Sequence, residues 1–203
     1  MCCDIVLASA SPRRRELLDQ IGIRSHALPV DIDESVLDGE TPAQTVQRLA
    51  VAKARRAGQR VDGRWRYLPV LGADTVIELD GVLLGKPADA AHARRMLTRL
   101  SATTHVVHTA IALLCGERLL QALCSSRVTF GELDAAQIRR YVDSGEPLDK
   151  AGGYGIQGSA AAFIRRLEGS YSAVMGLPLY ETAQLLAQCG VAVQHQPLQS
   201  ETA

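Results

Sequence analysis

One stretch constrains this chain more than any other: residues 7–18, LASASPRRRELL. The apolar run Ile5, Val6, Leu7 and Ala8 reads as a buried strand. Ser11 stands where a helix N-cap belongs, and Pro12 suits the first helical position. A strand that runs straight into a helix leaves the N–H groups of the first turn, and the positive end of the helix dipole, facing whatever sits beyond Ser9. Leu17, Leu18 and Ile21 form the buried stripe of that helix. Arg14 lies on the same stripe one turn earlier and Arg13 is four residues before Leu17, so both face inward at the helix mouth while Arg15 faces water. Cations at a helix N-terminus oppose the dipole. An anion-binding mouth explains them better than the alternative, a capped surface helix with a basic first turn.

The chain has 203 residues, which suits one domain, or one domain with two lobes. Hydrophobic residues are 47% of it and charged residues 22%, a balance that can bury a sizeable core. The formal net charge is zero, so a bulk electrostatic grip on nucleic acid is not expected, and any phosphate binding must come from a local cluster. No apolar run approaches the roughly 20 residues of a membrane span. The opening MCCDIVLAS has no basic region ahead of its short apolar run. Neither membrane association nor a signal peptide is therefore expected. The five cysteines show neither zinc spacing nor a pairing framework. Reduced thiols in a cytoplasm are the expectation, with the cysteines serving as small buried hydrophobes or standing free at the surface.

After the first helix, Gly22 marks its end and residues 24–30 read as a strand. The loop at 31–40 carries Asp31, Asp33, Glu34, Asp38 and Glu40: either a solvated acidic loop, or a holder of a divalent cation near the phosphate site. Thr41 and Pro42 open a helix that runs to about Arg60. Its stripe of Val46, Leu49 and Ala50 leads to Lys53, which either snorkels to the edge of the core or reaches into a cleft that contains an anion. Residues 58–66, with Trp65, read as a surface loop. Residues 68–73 are a strongly apolar strand, which Asp74 and Thr75 interrupt before a second apolar run at 76–79. An aspartate in a buried run is costly unless it is used, so Asp74 is the leading catalytic candidate; a structural Asp bonded to a backbone turn is the alternative. Asp80–Gly81 turns a hairpin that returns through residues 82–84 and brings Lys86 back toward Asp74.

A helix at 88–100 and a long ribbon of residues 105–115 and 118–130 follow, then a short helix opened by a capping box of Asp134 and Gln137. Next comes SGEPLDKAGGYGIQGSAAAFI, with Gly145, Gly152, Gly153, Gly155 and Gly158 close together. Such density marks backbone approaching a ligand or making an irregular turn. Asp149, Lys150, Tyr154 and Gln157 in this stretch are suited to reading a base or binding phosphate, with a flexible surface loop as the alternative. A strand at 160–167, a helix from near Pro178 to Gly190, an edge strand at 191–193 and a loose tail from Gln194 complete the reading.

Taken together, SASPRRRELL, the acidic loop ending in Asp33–Glu34, Lys53, GADTVI, GKP, SGEPLDKAGGYGIQG and GSYSAVMGLPL resemble the Maf family of nucleoside triphosphate pyrophosphatases. The motifs are spread from Leu7 to Leu179, and their shared order is far more specific than any one of them. The resemblance implies an α/β fold: a long twisted mixed β-sheet flanked by helices, as a single domain of two lobes with a central cleft, built similarly to the inosine triphosphate pyrophosphatases. It also implies a homodimer. Arg13 after SxSP, Thr75 after Asp74 and Gln157 in YGIQG match the dTTP/UTP branch of the family rather than the branch acting on 7-methyl-GTP.

The implied reaction is hydrolysis of a nucleoside triphosphate to the monophosphate and pyrophosphate, with Mg²⁺ or Mn²⁺. The resemblance assigns the base to Asp74, placed at a strand end. Glu34, with Asp33 beside it, would support the cation together with Asp74. Ser9, Arg13, Arg14, Lys53 and Lys86 would hold phosphate oxygens. Thr75 and Gln157 would read the pyrimidine, since an amide offers both a donor and an acceptor to the O4/N3–H edge. The competing reading is a nucleotide-binding regulator of cell division or septum formation, which keeps the phosphate cradle without significant catalysis. The basic SPRRR motif alone is a weak argument for nucleic acid, and no stable nucleic-acid complex is expected.

Overall fold

The computed structural model describes residues 3–193. Its strands are β1 (Ile5–Leu7), β2 (Ser25–Ala27), β3 (Val70–Leu79), β4 (Val82–Leu84), β5 (Thr104–Cys115), β6 (Arg118–Phe130) and β7 (Ile164–Glu168). Its helices are α1 (Pro12–Gln20), α2 (Pro42–Arg60), α3 (Ala90–Leu100), α4 (Ala135–Asp143), α5 (Tyr171–Met175) and α6 (Leu179–Gln188). The strands form one mixed sheet in the order β2–β1–β3–β5–β6–β7, with β4 paired to β3. β1 is parallel to β2 and β3; the β3–β4, β3–β5, β5–β6 and β6–β7 pairs are antiparallel. The expected mixed α/β sheet flanked by helices is therefore present.

Strand alternation divides the core. Leu71 and Ala73 of β3 face α1 and α6, packing with Leu17, Leu18, Leu185 and Leu186. Ile77 and Leu79, further along the same face, pack instead with Leu97 and Leu100 of α3 and with Ile138 and Tyr141 of α4. Along β3, Thr75 lies between the residues of these two clusters. The other face of the strand carries Val76, packed with Val46, Ala50 and Ala54 of α2. The α2 start is fixed as its sequence suggests: the Thr41 side chain accepts from the Gln44 N–H, and the Gln44 side chain accepts from the Thr41 N–H. Asp134 and Gln137 do the same for α4.

The cleft comes from a gap in pairing. On one edge of β3, β1 reaches only to Leu71, and β4 begins only at Ile77. The other edge is paired with β5 without interruption. Between the two partners, residues 73–76 present a bare strand edge, so groups from both faces of the sheet can reach one ligand. This is the switch-point logic of open α/β sheets.

Several expectations are corrected. Asp74 is not at a strand end: β3 runs unbroken from Val70 to Leu79, with Asp74 opposite Ala110 in the middle of it. The polar pair interrupts the apolar pattern but not the ladder, because Asp74 and Thr75 stay paired with Ala110 and Thr109 of β5. The 24–30 strand shrinks to Ser25–Ala27, with Pro29 unable to donate to a ladder. Residues 159–163 are a 3₁₀ turn, so the strand expected from 160 starts at Ile164. Residues 191–193 carry no strand. Trp65 is half-buried rather than part of an open loop, stacked on His26 at 4.8 Å between ring centres. The tail from Gln194 lies outside the described residues. Among those described, no helix is long and apolar enough to cross a membrane.

Candidate active site

A cleft of about 600 Å³ opens at the bare edge of β3. Its lining brings together Ser9, Arg13, Arg14, Glu34, Lys53, Asp74, Thr75, Lys86 and Gln157, with Asp149, Lys150 and Tyr154 beside them; of the site residues singled out from the sequence, Asp33 is not part of it. Its volume is in the range of small-molecule sites.

The centre of the cleft depends on how closely α2 rides on β3. A Cβ at Gly72 would overlap the Ala50 carbonyl and stand 2.6 Å from the Ala54 nitrogen. Only glycine permits this approach, and it carries Lys53 over Asp74. The Lys53 Nζ lies 2.6 Å from Asp74 Oδ1 and 2.7 Å from Glu34 Oε1. The lysine thus neither snorkels into bulk water nor stands alone; it joins two carboxylates from separate segments. Burial alone would raise the Glu34 carboxyl, but Lys53, Lys86 and Arg14 outweigh that and hold it below its usual range. Asp33 is turned to its own loop, accepting from the Ser35 N–H at 2.9 Å.

Arg14 is buried, as its place on the helix stripe implies. Its contacts change its expected role. Nε donates to Gly176 O at 2.8 Å, Nη1 to Ala73 O at 2.8 Å and Ser9 Oγ at 3.1 Å, and Nη2 to Thr75 Oγ1 at 3.2 Å. Four of its five N–H groups are thereby used. Arg14 ties α1, the bare edge of β3 and the end of α5 into one piece, with a single N–H left for a phosphate. Thr75 is drawn into the same chain. Thr109 donates its proton to Ala173 O at 2.7 Å, so the 3.0 Å contact between Thr75 and Thr109 has Thr75 as donor. With its proton directed to Thr109 and its oxygen accepting from Arg14, Thr75 can offer a ligand only an acceptor lone pair. Thr109 and Gly176 were not singled out from the sequence. Their alignment with Thr75 and Arg14 depends on pairing across β3 and β5 and on the short helix α5.

Ser11 occupies the cap position of α1, but its side chain makes no cap hydrogen bond; its N–H donates instead to Ser9 Oγ at 3.2 Å. Arg13 is half-buried and reaches across to Asp149 Oδ2 at 3.4 Å, while Asp149 Oδ1 lies 2.6 Å from Lys150 Nζ. Asp149 therefore joins the start of α1 to the segment that follows α4. Lys86 follows β4, whose register carries it back along β3 toward the gap. Gln157 also lines the cleft, exposed on the loop after the buried Tyr154.

A divalent cation would have Glu34 and Asp74 as its protein ligands. Among the described residues, no group of three or more His, Cys, Asp or Glu converges as a self-sufficient metal cage. Two carboxylates on one ammonium nevertheless fit a hard cation of the Mg²⁺ type, which keeps several waters and takes the rest of its shell from substrate phosphates.

Basic side chains, two carboxylates joined by a lysine and an exposed amide thus line one cleft of this α/β protein. Residues 4–189 match the Maf-like protein family, and the chain belongs to it. It is 50% identical over 198 residues to the dTTP/UTP pyrophosphatase of Aromatoleum aromaticum, covering 92% of this chain and 95% of that one. It is 52% identical over 191 residues to the protein of the same name from Cupriavidus pinatubonensis, with 91% and 96% covered. It is also 52% identical over 193 residues to that of Alkalilimnicola ehrlichii, with 94% and 95% covered. Among solved structures, the Staphylococcus aureus Ham1 protein aligns with 62% of this chain and 71% of its own, at 15% identity and a TM-score of 0.41. That likeness is too distant to add to the fold seen directly.

Proposed function

We propose that this chain is a dTTP/UTP pyrophosphatase, a hydrolase that cleaves the bond between the α- and β-phosphates to give the nucleoside monophosphate and pyrophosphate. One arrangement carries the reading: Asp74 and Glu34, joined by Lys53, line the same cleft as the mouth of α1 and Gln157. The near-complete alignment with dTTP/UTP pyrophosphatases supports it.

The triphosphate lies along Ser9, Arg13, Lys53 and Lys86, whose charges position it and stabilise what develops on the leaving pyrophosphate. Arg13 and Lys150 are shared by Asp149 in the free protein, and a polyanion competes for both. Asp74 accepts a proton from the water that attacks the α-phosphorus. Lys53 fixes the direction of the Asp74 carboxylate, and Arg14 holds the wall on which Ser9 and Thr75 sit. Glu34 and Asp74 would hold the divalent cation, which would neutralise phosphate charge and polarise the phosphoryl oxygen. Gln157 reads the pyrimidine edge, with Thr75 contributing at most an acceptor.

Hydrolysis of UTP in ¹⁸O-labelled water tests the reading. The expected products are UMP carrying the label and unlabelled pyrophosphate. UDP with inorganic phosphate, or label in the pyrophosphate, would overturn it.

A further inference from the structure

The loop that carries Gln157 is not held by strand pairing. Tyr154 and Ile156 are buried beneath it, and the side-chain hydrogen bonds on either side of Gln157 lead to one carboxylate. Glu146 follows Gly145, just beyond α4. Its Oε2 accepts from both the N–H and the hydroxyl of Ser159, at 3.1 and 2.7 Å. Its Oε1 accepts from Tyr141 Oη at 3.1 Å. The same Tyr141 oxygen accepts from the Gly155 N–H at 3.3 Å. Gln157 therefore sits two residues from each of two tethers, at Gly155 and Ser159, and both lead to Glu146.

The packing agrees with the hydrogen bonds. A Cβ on Gly158 would overlap the Glu146 carboxylate. A side chain at Gly158 would thus push the Glu146 carboxylate from its place. With Gly152, Gly153, Gly155 and Gly158 around them, Tyr154 and Ile156 are the buried side chains of this segment, and neither holds the stretch on the far side of Gln157. An amide that must meet a ring edge within hydrogen-bonding distance and angle needs such a restraint from elsewhere, because hydrogen bonds weaken steeply with misalignment.

We propose that Glu146 is a positioning residue for nucleobase selection: by clamping Gly155 and Ser159 it sets where the Gln157 amide can stand. The proposal rests on the reading of Gln157 as the base-reading residue. Glu146 itself faces the loop and touches no phosphate-binding group through its carboxylate.

The test is a double-mutant cycle of Glu146→Ala and Gln157→Ala, read as kcat and KM for UTP and GTP. Each single variant is expected to lower the preference for UTP over GTP by about tenfold, mainly through KM for UTP. The double variant is expected to be no worse than Gln157→Ala alone. Glu146→Gln is expected to stay within about threefold of the parent, because its amide can still accept from Ser159 and donate to the Tyr141 oxygen. Should Glu146→Ala fail to fold, Tyr141→Phe, which cuts the tether to Gly155 and keeps the ring, takes its place in the cycle. If the clamp variant leaves the UTP preference intact while Gln157→Ala abolishes it, or if the two effects simply multiply, the proposal is wrong and the base reading survives. If Gln157→Ala leaves the preference intact, the base reading fails and the proposal falls with it.

Discussion

The proposed phosphate end and base end of the cleft are built differently. At the phosphate end, Asp74 and Thr75 sit in mid-strand, Arg13 and Arg14 in the first turn of α1 and Lys53 on a helix pressed against Gly72, while Ser9, Glu34 and Lys86 stand on connecting segments beside them. Lys53 and Arg14 already meet protein acceptors at 2.6–3.2 Å. At the base end, Gln157 stands on an irregular loop whose shape depends on a few side-chain hydrogen bonds from Glu146 and Tyr141. The contrast teaches a division of labour. On the proposed reading, the heart of the charge chemistry, Asp74, Lys53 and Arg14, is placed on a packed frame, and recognition is placed on a loop that can be altered without unfolding the sheet. Changes at the first end should reach rate and stability together; changes at the second should reach selectivity.

The sharpest way to break that contrast is at Asp74. Asp74→Asn should lower turnover by about a thousandfold, in line with loss of a general base, while thermal denaturation shows a folded protein. A variant with near-normal turnover would place the chemistry elsewhere in the cleft. Outside the cleft lining, His105 is buried on β5 with its Nε2 2.7 Å from the Tyr154 hydroxyl. Burial pushes it down to about 4 from an unfolded value of 6.5. Its stabilising contribution is therefore complete above about pH 6.5 and is lost as the pH falls toward 4, by up to about 3 kcal/mol. His105→Gln should remove about one proton's worth of that slope in denaturation curves taken between those limits. An unchanged slope would show that other groups dominate acid unfolding.

Lys53→Met tests the frame itself. It leaves Asp74 and Glu34 without the ammonium they share, and about a hundredfold loss of turnover is expected. Mg²⁺ should raise the melting temperature of this variant more than that of the parent, because two freed carboxylates bind a hard cation better than two already paired. An equal or smaller rise would argue against Glu34 and Asp74 as the cation's ligands. The smallest effect belongs to the base end. Gln157→Glu should lower the UTP to GTP preference by about tenfold, with little change in melting temperature, since the side chain is exposed. A large loss of stability would show that the loop is part of the frame after all.

The phosphate end was more legible in the sequence than the base end, and the reason is physical. Residues that break an expected pattern stand out: two arginines at the positive end of a helix, a lysine on an apolar stripe, an aspartate in a buried strand. All meet in the cleft. Periodicity also placed α2, the β5–β6 ribbon and α4, because each carries its own cap or turn. The sequence did not reveal that β3 continues through Asp74, since the continuity comes from pairing with β5, far along the chain. It did not show that Arg14 and Thr75 satisfy each other, which requires α5 and Thr109 to arrive from elsewhere. Nor did it mark Glu146, because a glutamate beside a glycine in a polar loop has no anomaly to betray its task.

The measurement that tests the central claim most directly is pyrophosphate release from a panel of nucleoside triphosphates, with Mg²⁺, Mn²⁺ or EDTA, for the parent and Asp74→Asn. The expected result is metal-dependent turnover of dTTP and UTP above the other nucleotides, lost in EDTA and in the variant. Equal turnover by the parent and Asp74→Asn, or no turnover of dTTP and UTP with either metal, would contradict the account.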